Sequence, residues 1–188
     1  MKKNVPNILS VFRIFAAIAM LFAMFFIDPA TEKPKFLLIP GIIFAIGCLT
    51  DMLDGKIARH YNIVSDFGKF VDPIGDKILT FFAMLGFMFI GADKHFPFML
   101  VAVAVTLIRE FTVSSVRMIF GTKGTVVAAN IYGKLKTVFQ MAALILYFFL
   151  IETKYIFIAQ IFISIAVVMT VVSGTIYLID YIKSIKEG

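Results

Sequence analysis

Residues 41–90 read GIIFAIGCLTDMLDGKIARHYNIVSDFGKFVDPIGDKILTFFAMLGFMFI. An apolar run closes at Thr50, a polar stretch follows, and a second apolar run opens at Ile78. The polar middle is too short for a domain, so the two runs predict antiparallel neighbouring helices whose polar ends meet at one level. Asp51, Asp54, Gly55 and Ala58 stand at i, i+3, i+4 and i+7, which places all four on one stripe of a helix. On the second run Gly68, Asp72 and Asp76 recur every four residues and form a matching stripe, with Gly75 beside it.

The rest of the chain sets this hairpin in a membrane. Of 188 residues, 61% are hydrophobic and 16% charged, and the mean hydropathy is +0.97. That composition excludes a disordered chain, a disulfide scaffold and a nucleic-acid-binding domain. Apolar runs predict six transmembrane helices in one all-α membrane domain, near residues 6–27, 35–59, 68–91, 97–120, 131–151 and 155–182. The amphipathic segment from Lys2 to Arg13 reads as lying on the membrane surface ahead of the first span. Cys48 is the only cysteine, so no internal disulfide is possible. Of the eighteen Lys and Arg residues, Lys33, Lys35, Lys94 and Lys154 fall on one side and the other fourteen near the opposite face. The basic side is cytoplasmic by the positive-inside rule, and it is the side of the acidic stripes. The net charge of +6 therefore reports topology and anionic headgroups, not nucleic acid.

Four carboxylates converging at membrane depth are costly unless cations neutralise them. One Asp or one Gly on a membrane helix reads as packing. Four Asp interleaved with small residues on two adjacent helices read as a site. All-oxygen donors suit two divalent cations, Mg²⁺ with Mn²⁺ or Ca²⁺ as alternatives, and with only His60 and His95 in the chain zinc does not fit. A paired metal site shields phosphate charge, activates a leaving group and leaves a carboxylate free as base. Gly55, Ala58 and Gly68 lack the bulk that would keep a nucleotide pyrophosphate from the backbone. Pro73 removes one helical donor and predicts a bend at the site.

These residues resemble the CDP-alcohol phosphotransferases, whose signature D-x₂-D-G-x₂-A-R-x₈-G-x₃-D-x₃-D is met at every position by Asp51, Asp54, Gly55, Ala58, Arg59, Gly68, Asp72 and Asp76. The resemblance implies the six-helix fold of that family, commonly a homodimer, and displacement of CMP from a CDP-linked donor by an alcohol. It further implies that Asp51, Asp54, Asp72 and Asp76 hold the metals, that Asp76 is the general base, and that Gly55, Ala58, Arg59 and Gly68 line the nucleotide pocket. Asn7 and Ser10, with Arg13, either cap the first helix or contact the nucleotide from the neighbouring span, Ser10 standing where the family often has Thr.

Beyond the signature, the segments from Pro6 to Arg13, Arg109 to Arg117 and Gly133 to Thr137 resemble the bacterial phosphatidylglycerophosphate synthases of the same family. That likeness implies CDP-diacylglycerol as donor, sn-glycerol 3-phosphate as acceptor, and a multi-pass protein of the bacterial cytoplasmic membrane. A phosphate on the acceptor needs permanent cations near the attacking hydroxyl, preferably Arg forks. Arg109, too deep in its helix to be idle, and Arg117, two turns on, are the candidates, with Lys134 and Lys136 beside them. Glu110 projects about 100° from Arg109 and reads as an imperfect partner for it. The segment after about residue 140 adds two spans and a basic tail. Competing readings keep the fold but change the acceptor to phosphatidylglycerol, serine or inositol phosphate, or make the chain a divalent-cation transporter. The transporter leaves the spacing of Gly55, Ala58, Arg59 and Gly68 without a reason.

Overall fold

In hydrocarbon every backbone N–H and C=O must be satisfied within its own segment, which drives apolar runs of this length into helices. In the computed structural model, the described residues (5–26, 37–61, 66–90, 96–122, 130–151 and 153–186) form six of them. They are α1 (Val5–Phe25), α2 (Leu38–Tyr61), α3 (Asp66–Ile90), α4 (Phe96–Thr122), α5 (Ile131–Leu150) and α6 (Ile156–Lys186). The side chains of residues 5–7, 51–61, 66–70, 72, 73, 76, 96, 122, 185 and 186 lie outside the described set.

Among the described residues, four segments are long and apolar enough to cross a membrane: Ile8–Phe25, Pro97–Gly121, Ile131–Leu150 and Ile156–Ser184. Among the described residues, α2 and α3 carry the shorter apolar stretches Leu38–Thr50 and Lys77–Ile90, each about 20 Å long at the helical rise. The remaining half of each carries the acidic signature. The outward faces stay greasy, with Phe15, Ile39, Ile108, Phe111 and Val168 all more than half exposed. In lipid such a surface costs nothing, whereas in water it would aggregate.

Small residues let the helices approach. A Cβ on Gly75 would lie 3.3 Å from the Ser10 carbonyl oxygen, and one on Gly86 would strike Met24, so α1 and α3 run side by side and parallel. Gly47 of α2 meets Leu79 of α3, and Gly41 meets Phe148 of α5. α1 packs extensively on both α2 and α3, α5 on α6, and α4 on α6 and α3. The core is centred on Phe87, whose ring lies 4.6 Å from Phe148 and 5.2 Å from Tyr147, with Phe44 on the far side of Phe148. Membrane-level hydroxyls bond back to their own helix, Thr50 to the Gly47 carbonyl at 2.8 Å and Thr80 to that of Lys77 at 3.1 Å.

One expectation changes. Residues 5–13 are the first turns of α1 itself, with Ser10 and Arg13 buried against α3, and are not a separate surface segment. α3 is helical throughout Asp66–Ile90, across Pro73.

Candidate active site

Both signature segments are helical, as the stripes require: Asp51, Asp54, Gly55, Ala58 and Arg59 lie on α2, and Gly68, Asp72 and Asp76 on α3. The side chains of these eight, and of Asn7, fall outside the described residues. Around them the neighbourhood is defined. The Gly47–Leu79 approach brings the signature ends of α2 and α3 to the same end of the bundle. Ser10 is fully buried where α1 meets α3. Arg13 is only 1% exposed, and its Nη1 lies 3.7 Å from where a Cβ on Gly75 would be. A buried cation on α1 thus stands beside the turn of α3 between Asp72 and Asp76.

Directly after Asp76, Lys77 starts a second polar cluster that joins α3, α4, α5 and α6. Its Nζ lies 3.3 Å from Glu110 Oε2 and donates to Ser114 Oγ at 3.1 Å. Glu110 Oε1 accepts from Arg109 Nη1 at 2.8 Å and from Lys136 Nζ at 2.9 Å. Glu110 is therefore a close partner of Arg109 after all. The 100° between adjacent helical positions separates the Cβ atoms, but two long side chains bend back across it. Arg109 Nη2 donates to Ser173 Oγ at 3.0 Å. Ser173 in turn donates to Asn130 Oδ1 at 3.1 Å, the same oxygen that caps α5 by accepting from the Gly133 backbone N–H at 2.7 Å. Arg117 Nη2 donates to the Tyr177 hydroxyl at 2.8 Å. The Tyr177 ring also lies 5.4 Å from the Arg117 guanidinium and 5.9 Å from that of Arg109.

Gly133 and Gly174 make room for Arg109. A Cβ at Gly133 would come to 3.0 Å of Arg109 Nη2, and one at Gly174 to 3.2 Å of Arg109 Cγ. Of the four basic residues singled out from sequence, three therefore join one polar cluster, Arg109 and Arg117 through Tyr177 and Lys136 through Glu110. Lys134 is exposed and joins none of these bonds among the described residues. Sequence reasoning missed Lys77, Ser114, Asn130, Ser173 and Tyr177. Ser173 and Tyr177 stand four apart, on one stripe of α6, which was the available signal.

A family model described as CDP-alcohol phosphatidyltransferase matches residues 3–172. The chain belongs to that family. Among curated members it is similar to the CDP-diacylglycerol–glycerol-3-phosphate 3-phosphatidyltransferase of Bacillus subtilis (strain 168), 35% identical over 151 residues, covering 79% of this chain and 76% of the relative. It is 31% identical over 182 residues to a probable phosphatidylglycerophosphate synthase of Mycobacterium tuberculosis, covering 97% and 83%. The Escherichia coli (strain K12) CDP-diacylglycerol–glycerol-3-phosphate 3-phosphatidyltransferase is 32% identical over 146 residues, covering 77% and 76%. Membership in a phosphatidyltransferase family sets the transporter reading aside.

Proposed function

We infer that this family member transfers the phosphatidyl group of CDP-diacylglycerol to sn-glycerol 3-phosphate, releasing CMP and forming phosphatidylglycerol phosphate. The observation that carries the acceptor is the cluster of Lys77, Arg109 and Lys136 around a single carboxylate, Glu110, with Arg117 joined to it through Tyr177, beginning one residue after Asp76. Three cations against Glu110 leave a net charge of +2, with Arg117 a further cation joined through Tyr177, which suits a phosphate-bearing acceptor and is superfluous for a neutral alcohol.

Asp51, Asp54, Asp72 and Asp76 form an all-carboxylate donor set on two helices whose signature ends share one end of the bundle, which fits hard divalent cations, magnesium or manganese. When bound, such cations neutralise the pyrophosphate and stabilise the departing CMP. The remaining work belongs to the chain. Gly55, Ala58 and Gly68 leave space for the nucleotide, Arg59 pairs with its pyrophosphate, and Asn7 and Ser10 close the pocket from α1. Arg109, Arg117 and Lys136 hold the acceptor phosphate, with Lys134 at the exposed rim. Asp76 takes the proton from the acceptor hydroxyl as its oxygen bonds to the phosphatidyl phosphorus and the bond from that phosphorus to the CMP oxygen breaks. α2 and α3 complete a six-span bundle, and their polar halves set the chemistry at the interface, where a lipid donor and a soluble acceptor meet. The excess of basic residues at that end turns it to the cytoplasm of a bacterial membrane. The family resemblance supports a homodimer.

The test is CMP release by the purified protein with CDP-diacylglycerol, Mg²⁺ and a panel of acceptors. Glycerol 3-phosphate as the sole productive acceptor supports the reading. Turnover only with phosphatidylglycerol, serine or inositol phosphate discards the acceptor, and no turnover with any discards the function.

A further inference from the structure

Glu110 sits where a bound phosphate would compete with it. Its Oε1 already accepts from two cations on different helices, Arg109 at 2.8 Å and Lys136 at 2.9 Å, and its Oε2 lies 3.3 Å from Lys77 on a third. Its side chain is 14% exposed, those of Arg109 and Lys136 are 12% and 8% exposed, and so these charges have little water to fall back on. Charges this poorly hydrated need a partner in every state of the pocket. A catalytic pocket that fills and empties once per turnover must supply its cations with a counterion in the empty state as well. A carboxylate presents two oxygens to those donors, and a phosphate presents three in place of them.

We propose that Glu110 is a built-in stand-in for the acceptor phosphate, holding Arg109 and Lys136 in place while the pocket is empty and yielding them when a phosphate enters. The inference rests on reading this pocket as the acceptor-phosphate site. Lys77 gives the displaced carboxylate somewhere to go, because it holds the other oxygen and is anchored to α4 through Ser114. Since Glu110 occupies the cations for part of the time, the apparent affinity for phosphate is lowered by the fraction of time they are engaged. A purely structural Glu110 makes the opposite forecast. Its loss would scatter the cations and weaken anion binding.

The sign of the change decides between them. Inorganic phosphate is titrated calorimetrically, without metal or donor, into the purified full-length protein and its Glu110→Gln and Glu110→Asp variants. Glu110→Gln is expected to bind phosphate at least about fivefold more tightly, while Glu110→Asp, which keeps the charge, stays within about twofold of the unmodified protein. Equal or weaker binding by Glu110→Gln overturns the proposal. A second measurement needs no variant. The chain has four glutamates, Glu32, Glu110, Glu152 and Glu187, so ¹³C-glutamate labelling isolates few carboxylates in an infrared difference spectrum. Adding phosphate is expected to shift one glutamate stretch, and an unshifted spectrum at saturating phosphate overturns the proposal. Glycerol-3-phosphate-dependent CMP release is scored separately. Turnover without the Glu110→Gln gain sinks this inference alone, and the gain without turnover sinks the functional reading alone.

Discussion

Arg117 and Tyr177, sixty residues apart in the chain, are joined by a 2.8 Å hydrogen bond from Nη2 to the phenol oxygen. The same ring lies within 6 Å of the guanidinium of Arg109, so one side chain of α6 orders both arginines of α4. Hydrogen bonds to charged groups are worth about 1.5–3 kcal/mol where water is excluded, and less for Arg117, which is exposed. Tyr177→Phe keeps the ring and removes the hydroxyl that accepts from Arg117. The expected result is a KM for glycerol 3-phosphate raised about three- to tenfold with kcat little changed. An unchanged KM in steady-state CMP release would detach Tyr177 from the pocket.

Asp76→Asn and Asp72→Asn keep the size of the side chain and remove its charge. Loss of a general base costs about 10²–10⁴-fold. Asp76→Asn, which removes the general base, is expected to fall at least about a hundredfold in kcat, Asp72→Asn to lose activity with the metal ligand it removes, and both to elute from gel filtration like the parent protein. Full turnover by either would refute its proposed role.

Gly133 separates stability from function. Alanine is the better helix former by up to about 1 kcal/mol, so Gly133→Ala should leave the melting temperature unchanged or slightly raised. Its Cβ would nevertheless press on Arg109 Nη2 at 3.0 Å and Ser173 Oγ at 3.2 Å. Acceptor KM is expected to rise while the KM for CDP-diacylglycerol holds. A fall in melting temperature with both KM values unchanged would show that the pocket tolerates the methyl group.

Orientation is testable across α6, which exposed Thr153 precedes by three residues and whose last turns carry exposed Lys183. With buried Cys48 replaced by Ala, a cysteine at Lys183 should react with an impermeant maleimide only in inside-out vesicles. A cysteine at Thr153 should react only in intact spheroplasts. The reverse pattern would place the acidic hairpin outside the cell.

The membrane class, the helix count and the acidic hairpin are legible in the chain because they depend on local properties. Run length against bilayer thickness predicts each helix, and fixed intervals of three and four residues put Asp51 and Asp54, or Asp72 and Asp76, on one helical stripe. Arg109 announces itself by depth alone, since an arginine there must have a reason. What that reason is depends on partners 26 to 64 residues away. Lys136 reaches Glu110, Ser173 reaches Arg109 and Asn130, and Tyr177 reaches Arg117 only once α4, α5 and α6 are packed. No interval along one helix encodes such contacts. A serine and a tyrosine on α6 have the same local meaning whether they face lipid or an arginine, and the packing of one helix on another decides which.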